Sequence, residues 1–297
     1  MKELIRVSDE VGQALAERRP VVALETTLVA HGFPPGEGVE VGLESERRVR
    51  NAGAVPATVG VLDGLLRVGL SEQELGRFGP EARKVGPRDL AAALVQRALG
   101  ATTVGGTLAA CRAVGIGFMG TGGLGGVHRG FPTPPDVSAD LGELVRTEAV
   151  IVSSGVKSIL DVPATAELLE TLGVPVLGYR TDDLPLFYAA HGGPPVSARV
   201  ESADEAARVA RAHWRLGRHT SILLARPAAD SLDDVEPLIE AALADAHEQG
   251  VSGQDVTPFV LSYLHRESGG RTLVANRELI AANAALAGEV AVAYAAL

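Results

Sequence analysis

Short apolar runs alternate with segments of helical spacing along nearly the whole chain. The runs have the lengths of strands and include VVALETT, ATVGVLDG, ATTV, AVIVSSG, VPVLGY and SILLARP. Parallel strands need a crossover between them, usually a helix, and helices on both faces leave such strands apolar throughout. The alternation therefore predicts an α/β protein, a three-layer α/β/α arrangement around a mostly parallel central sheet. Since no repeat, low-complexity tract or clear linker interrupts it, we expect one domain over residues 1–297.

The charge and apolar content of the chain exclude several classes of protein. Asp plus Glu number 37 against 27 for Lys plus Arg, and the net charge of −10 repels a nucleic-acid backbone. The charged amphipathic N-terminus lacks the apolar core of a signal peptide, and no apolar run approaches the roughly 20 residues of a membrane span. A single cysteine excludes an intramolecular disulfide framework. We therefore expect a cytoplasmic protein that binds neither nucleic acid nor membrane.

The least ordinary part of the sequence is GIGFMGTGGLGGVHRGFPTPPDVSAD, residues 115–140. It has seven glycines from Gly117 to Gly130, and a position without a Cβ lets backbone N–H groups come close to a ligand. A flexible connector is the alternative, but strand-like and helix-like segments flank the stretch and favour a binding loop held on a scaffold. The G-x-G-x-x-G pattern that begins at Gly120 does not indicate a dinucleotide-binding turn, since prolines follow where a helix would have to begin.

Only three of the 27 basic residues are lysines, and two of these, Lys84 and Lys157, have unusual surroundings. Lys84 lies in the Pro- and Gly-punctuated segment ARKVGPRDL, and Lys157 lies next to AVIVSSG, the most apolar strand. An amine can lose its proton and attack a carbonyl carbon, which a guanidinium group cannot do at usable pH. The use of arginine elsewhere favours a chemical role for both lysines, and a solvated surface cation is the alternative for each.

Carboxylate groups lie at two places where they could take part in chemistry. Glu25 directly follows the apolar strand residues VVAL, so its burial would require a partner or a bound proton; otherwise it turns to solvent. Asp136, Ser138 and Asp140 alternate, and would present oxygen atoms together in an extended segment, as Mg²⁺ or Mn²⁺ requires. The alternative is helix capping, with Ser138 as the N-cap of DLGELV and an aspartate near the positive end of its dipole.

A lysine amine near a phosphate-binding glycine loop and a carboxyl acid can perform Schiff-base chemistry on a sugar phosphate. The amine attacks the anomeric carbon, the ring opens, and the resulting iminium accepts electrons while the carboxyl group moves protons. Two further features could contact a ligand. Asn276 and Asn283 share one face of the last helix, where contact with a neighbouring turn is equally plausible, and residues 181–198 form a long loop or flap.

Eight ordered segments resemble those of the pseudouridine-5'-phosphate glycosidase family, also called pseudouridylate synthase and related to indigoidine synthase A. They are ALETTLVAHGFP, KVGPRDL, GATTVGGT, TGGLGGVHRG, DVSADLGEL, GVKSILD, GVPVLGY and TPFVLSYL, and the resemblance extends from about Val21 to the C-terminus. It implies a homotrimeric α/β/α enzyme that reversibly splits pseudouridine 5'-phosphate into uracil and ribose 5-phosphate with a divalent metal, usually Mn²⁺. The alternatives are another Schiff-base lyase for sugar phosphates, including one of the indigoidine pathway, and a non-catalytic sugar-phosphate-binding protein.

The same resemblance implies roles for ten residues of this chain. Lys157 is the implied nucleophile that forms an imine with C1', and Glu25 is the implied acid that protonates the departing uracil or opens the ribose ring. Asp136 is the implied metal ligand. The implied substrate-binding residues are Lys84, Val104, Thr121, Ser138, Ala139, Asp140 and Asn276. A C–C bond to uracil needs an electron sink to break, which an iminium supplies and the paired carboxylates of ordinary glycosidases do not.

Overall fold

The computed structural model of the protein describes residues 3–130, 132, 135–232, 234–251 and 256–297. Within these ranges the strands are β1 (Ile5–Val7), β2 (Val21–Leu24), β3 (Val55–Leu62), β4 (Leu65–Val68), β5 (Arg83–Val85), β6 (Gly100–Thr102), β7 (Phe118–Gly120), β8 (Val150–Ser153), β9 (Val176–Tyr179), β10 (Ala198–Val200) and β11 (Ile222–Ala225). The helices are α1 (Asp9–Ala16), α2 (Thr27–His31), α3 (Gly38–Asn51), α4 (Glu72–Leu75), α5 (Leu90–Val95), α6 (Val104–Val114), α7 (Asp140–Leu144), α8 (Val162–Thr171), α9 (Ala203–Arg215), α10 (Glu236–Glu248), α11 (Val256–Glu267) and α12 (Arg271–Ala295). Helices follow most strands along the chain, as the alternation in the sequence predicts.

The strands join in one sheet whose central order is β1-β4-β3-β2-β7-β8-β11-β9-β10, with β6 pairing β3 and β5 pairing β6. β2 runs parallel to β3 and β7, and β8 runs parallel to β7 and β11. β3 is antiparallel to both β4 and β6. The sheet is therefore mostly parallel, as predicted, and the carboxyl ends of the neighbours β2, β7 and β8 lie together at one edge.

Alternate side chains of the central strands pack into two separate cores. In β2, Val21 and Ala23 join one cluster of buried residues, whereas Val22 and Leu24 join the other. The first cluster also takes residues of α1, α6, α7 and α8, and the second takes residues of α9 and of the C-terminal half of α12. Helices thus cover both faces of the sheet, and the predicted three-layer α/β/α arrangement is confirmed.

The last helix, α12, is 25 residues long and belongs to both cores. Ala275, Leu279 and Ile280 join the first cluster, and the stretch from Ala284 to Ala291 joins the second. By length and composition alone the helix could cross a membrane, although the sequence led us to expect no membrane span. Within the fold, 56% of its most apolar 18-residue stretch is buried. Core helices are buried in this way, and they can be as long and apolar as a membrane span. The length of α12 is therefore weak evidence for a membrane span.

Substitution of Leu223 in β11 tests the packing between the sheet and the first helix layer. Leu223 is completely buried, so we expect Leu223→Ala to lower the free energy of unfolding by about 2–5 kcal/mol through lost apolar contact and a residual cavity. Val95, whose exposed fraction is 82%, provides the control, and Val95→Ala should change that free energy by less than about 0.5 kcal/mol. Urea unfolding measures both, and equal small effects would contradict the predicted core.

Candidate active site

The register of three parallel strands brings a carboxylate and a hydroxyl together. Leu24 of β2 lies beside Gly120 of β7, and Gly120 lies beside Val152 of β8. The next residues along the first two strands, Glu25 and Thr121, therefore emerge side by side at the carboxyl edge of the sheet, where open α/β sheets bind their ligands. The Thr121 hydroxyl donates a hydrogen bond to Glu25 Oε1.

The loop that carries Lys157 is tied to the glycine-rich stretch. The Lys157 amide donates to the Leu124 carbonyl at 3.0 Å, and the Ser154 amide donates to the Gly122 carbonyl at 2.8 Å. The Arg129 guanidinium donates to the Ser158 carbonyl at 2.8 Å, just beyond the lysine. These three hydrogen bonds fix the backbone that carries the half-buried Lys157 side chain.

Two cavities meet at Lys84 and Lys157, which line both. The apolar cavity has walls formed by Leu28, Phe187 and Ile280 and a volume of about 60 Å³. The polar cavity is larger, at about 390 Å³. A ligand with an apolar end in one cavity and a polar end in the other would therefore pass beside both amines.

Nine of the ten residues expected at the site line one of these cavities. The residues at the apolar cavity are Glu25, Lys84, Thr121, Lys157 and Asn276. Those at the polar cavity are Lys84, Asp136, Ser138, Ala139, Asp140 and Lys157. Val104 lines neither; it is buried at the start of α6, whose N-cap, Thr103, does line the polar cavity. The functional roles of all ten residues stay predictions.

Glu25 is buried, with an exposed fraction of 5%, so the alternative of a side chain turned to solvent is wrong. Burial raises the pKa of the Glu25 carboxyl, while the charge of Lys157 and the hydrogen bond from Thr121 act to lower it. Asp140 adds a smaller effect that also raises this pKa. The balance favours a carboxyl group that keeps its proton to higher pH than an exposed glutamate, as a general acid requires.

Asp140 joins two segments of the site through its carboxylate. Oδ1 accepts a hydrogen bond from the Gly105 amide at 2.8 Å, and Oδ2 accepts one from the Gly125 amide at 3.1 Å. Gly105 lies in the first turn of α6, where a negative charge is favoured by the helix dipole. The carboxylate therefore holds the glycine-rich stretch against α6, and the shared oxygen site of Asp136, Ser138 and Asp140 stays a prediction.

The capping hypothesis for Ser138 is wrong in its position. α7 begins at Asp140, and its N-cap is Ala139, which makes no side-chain capping bond. The Ser138 hydroxyl accepts a hydrogen bond from the Asp140 amide at 3.2 Å. Ser138 therefore lies one residue before the N-cap, and its hydroxyl still accepts from the first N–H of the helix. Ser138 also lines the polar cavity.

Asp136 lines the polar cavity beside His128. Its Oδ2 is 3.7 Å from His128 Nδ1. Burial lowers the pKa of His128, the charge of Asp136 raises it, and Lys157 and Lys84 lower it further. A neutral imidazole can bind a metal, but no group of three or more His, Cys, Asp or Glu side chains with metal-binding geometry occurs among the residues that the structure describes. A cation here would take most of its ligands from water or from a bound molecule.

The glycines of the central stretch are required for close approach between segments. A Cβ on Gly123 would lie 2.6 Å from Phe187 Cδ2 and 3.3 Å from Lys157 Cγ. A Cβ on Gly125 would lie 2.3 Å from the Ser138 hydroxyl oxygen. Such distances are shorter than atomic contact allows, so larger residues here would displace the groups that line the cavities.

The two asparagines of α12 differ in what they contact. Asn283 is completely buried, and its amide group donates to the Thr121 carbonyl at 2.8 Å and to the Ser154 hydroxyl at 3.1 Å. Asn276 lines the apolar cavity, and its buried Oδ1 has no hydrogen-bond partner among the described residues. Asn283 thus fixes the loops after β7 and β8. The Oδ1 atoms of both asparagines are buried without a partner among the described residues, and of the two residues Asn276 is the one that lines the apolar cavity.

Phe187 is a residue of the site that the sequence did not indicate. It lies in the 181–198 segment, lines the apolar cavity and has a φ of 66°. A left-handed backbone is rare for an aromatic residue and costs about 1–3 kcal/mol, which neighbouring contacts must offset. Nothing in the local sequence predicts it, because the conformation is imposed by packing and by the hydrogen bond from its amide to the Ser154 carbonyl at 3.1 Å.

Comparison with known proteins places the whole chain within one group of relatives. The family model described as "Indigoidine synthase A like protein" matches residues 10–293. The pseudouridine-5'-phosphate glycosidase of Sorangium cellulosum is 46% identical over 100% of this chain and 96% of its own, and that of Streptomyces griseus is 49% identical over 97% and 92%. The crystal structure of the prealnumycin C-glycosynthase AlnA in complex with ribulose 5-phosphate has a TM-score of 0.90 at 42% identity, covering 99% of this chain and 97% of that one.

Replacement of Glu25 by glutamine tests the burial of its carboxyl group. Because the folded pKa is raised above the ordinary value of 4.5, the stability that this group contributes is fully present below that pH and is lost as pH rises through the folded pKa. As pH rises from 4.5 through the folded pKa, we expect the free energy of unfolding of the natural protein to fall relative to that of Glu25→Gln. Urea unfolding at a series of pH values measures this difference. Parallel profiles for the two proteins would contradict a raised Glu25 pKa.

Proposed function

Since the chain belongs to the indigoidine synthase A-like family, which includes the pseudouridine-5'-phosphate glycosidases, we propose that it reversibly cleaves pseudouridine 5'-phosphate to uracil and ribose 5-phosphate. The observation that most supports this is the pairing of a lysine with a buried carboxyl at the junction of two cavities. Lys157 and Glu25 both line the apolar cavity, and the charge of Lys157 acts on the Glu25 pKa. An amine and a proton donor are the two groups that this cleavage requires.

The bond to be broken joins C1' of the ribose to C5 of uracil. In our proposal the Lys157 amine bonds to C1', the C1'–O4' bond breaks, and O4' takes a proton as the ring opens. The nitrogen lone pair then forms the C=N bond of an iminium while the C1'–C5 bond breaks. The electron pair of that bond goes to the uracil ring, whose C5 takes a proton, so the nitrogen supplies electrons in this step and does not accept them as the sequence led us to expect. Water hydrolyses the iminium to release ribose 5-phosphate and the free amine, so one water is consumed in each cycle.

Glu25 is the proposed source of the protons in these steps. A carboxyl whose pKa is raised by burial keeps its proton to higher pH than an exposed glutamate, so it can donate to O4' or to uracil C5, and its conjugate base can take the proton back from the attacking amine or water. The Thr121 hydroxyl, which donates to Glu25 Oε1, orients the carboxyl towards the cavity. In this view Thr121 assists catalysis by holding the acid in place.

The two cavities divide the substrate between them. We place the base in the apolar cavity, where the buried Oδ1 of Asn276 can accept a hydrogen bond from a uracil N–H. We place the phosphate in the polar cavity, where Lys84 offers a positive charge and Ser138 a hydroxyl. Lys157 lines both cavities, so its amine can reach the ribose carbon between the two ends.

Asp136 and His128 would hold a divalent metal, for which Mn²⁺ is our proposal. The carboxylate and a neutral imidazole suit that ion, and substrate oxygens with water would complete its shell. When bound, the metal would supply positive charge that offsets the phosphate. The homotrimeric assembly and the cytoplasmic location implied by the family resemblance stay predictions.

Lys157→Ala tests the proposed nucleophile. We expect uracil release from pseudouridine 5'-phosphate to fall at least about a thousandfold with the fold retained, because in our proposal the Lys157 amine makes the bond to C1'. Borohydride added with ribose 5-phosphate should add the mass of one reduced pentose phosphate to the natural protein, and peptide mapping should locate it at Lys157.

Lys84→Arg is the matched control, since it keeps the charge at position 84 and leaves Lys157 intact. Borohydride should still trap the sugar in this variant. Labelling of Lys84 in the natural protein, or turnover by Lys157→Ala near the natural rate, would contradict the assignment. Trapping at Lys157 without uracil release would favour a lyase that acts on another sugar phosphate.

Asp136→Ala tests the proposed metal site. We expect the Mn²⁺ concentration for half-maximal uracil release to rise about tenfold or more, because one carboxylate ligand is lost. Asp183→Ala is the control, since Asp183 has the same side-chain exposure of 41% and a similar histidine neighbour, His191, at 3.9 Å. The control should leave the metal dependence unchanged; equal responses of the two variants would remove Asp136 from the metal site.

A further inference from the structure

We propose that Phe187 is the aromatic wall against which the planar base packs, and that this contact supplies part of the affinity for the base. The proposal rests on the proposed function and deepens it. Phe187 lines the cavity that also contains Glu25 and Asn276, and its exposed fraction is 5%. It lies on the 181–198 segment, outside the strand ends that supply the amine and the carboxyl.

The floor of the apolar cavity is glycine backbone, and apolar side chains rise from it. A Cβ on Gly122 would lie 3.1 Å from Ile280 Cγ1, and one on Gly123 would lie 2.6 Å from Phe187 Cδ2. The two side chains therefore stand on adjacent glycines. Apolar walls of this kind suit a flat, weakly hydrated ring better than a hydrated sugar.

The backbone of Phe187 is held in a conformation that a merely space-filling residue does not need. Five described non-glycine residues have a positive φ, and the other four, Arg18, Asp63, Arg97 and Arg180, are exposed. Phe187 alone among them is buried. Backbone strain at a buried residue of a ligand cavity is a feature of functional sites, where the surrounding structure maintains it.

The contacts that maintain this conformation come from the loop of the lysine. The Phe187 amide donates to the Ser154 carbonyl at 3.1 Å, and Gly155 pairs with Leu186. A Cβ on Gly155 would lie 2.0 Å from the Pro185 carbonyl oxygen, so the two segments pack without space between them. The ring of Tyr188 meets the Phe187 ring edge to face at 4.7 Å. The aromatic wall is thus fixed relative to Lys157, and a base that packs on it would be fixed relative to the amine.

Three variants test the proposal in the direction of synthesis, with uracil and ribose 5-phosphate as substrates. Phe187→Leu should raise the KM for uracil about ten- to a hundredfold, the range for loss of one contact between a base and an aromatic ring. Borohydride trapping of ribose 5-phosphate alone should keep its half-saturating concentration within about twofold. Phe187→Tyr, which keeps the ring, should restore the uracil KM to within a few-fold of the natural value.

The third variant, Phe187→Asn, separates the ring from the backbone, since asparagine tolerates a positive φ. It should match Phe187→Leu in its uracil KM while folding normally. An unchanged uracil KM, an equal loss in ribose 5-phosphate trapping, or unfolding of both the Leu and Asn variants would overturn the proposal and leave Phe187 as a packing residue. A natural protein that neither trapped the sugar nor used uracil would instead overturn the proposed function.

Discussion

Hydrogen bonding between three parallel strands determines where every chemical group of the site can lie. β2, β7 and β8 are paired in a register that places Leu24, Gly120 and Val152 side by side. The chain leaves the sheet after these residues, so Glu25, Thr121 and the loop with Lys157 all begin at the same edge. A shift of one residue in this pairing would turn the side chains of a strand to the opposite face and separate the carboxyl from its hydroxyl partner.

Several residues of the site could be identified from the sequence because each is unusual in its residue type or in its neighbours along the chain. Lys84 and Lys157 stand out among arginines, Glu25 directly follows an apolar strand, and the glycines are concentrated in one stretch. The alternation of strand and helix in the sequence was sufficient to predict the three-layer arrangement of the fold. The structure also has a capping box at Ser71 and Glu74, a motif that a sequence displays directly because both of its residues lie within one turn.

Contacts between distant segments could not be predicted in the same way. The Asp140 carboxylate accepts from amides of Gly105 and Gly125, which are 35 and 15 residues away. Asn283 contacts carbonyl and hydroxyl groups more than 120 residues earlier, and only tertiary packing distinguishes it from Asn276. The left-handed backbone of Phe187 has no local signal, since an aromatic residue at positive φ contradicts the propensity on which such predictions rest.

One helix, α12, carries groups that serve opposite sides of the sheet. Its first turns bring Asn276 to the apolar cavity, its middle holds the loops after β7 and β8 through Asn283, and its last turns fill the core beneath α9. The polypeptide therefore cannot be divided into a ligand-binding fragment and a supporting fragment. Split proteins or circular permutants of this chain would have to keep residues 271–295 as one uninterrupted piece. Deletions from the C-terminal end would remove core residues beneath α9 and thereby disturb the position of Asn276 and Asn283 at the site.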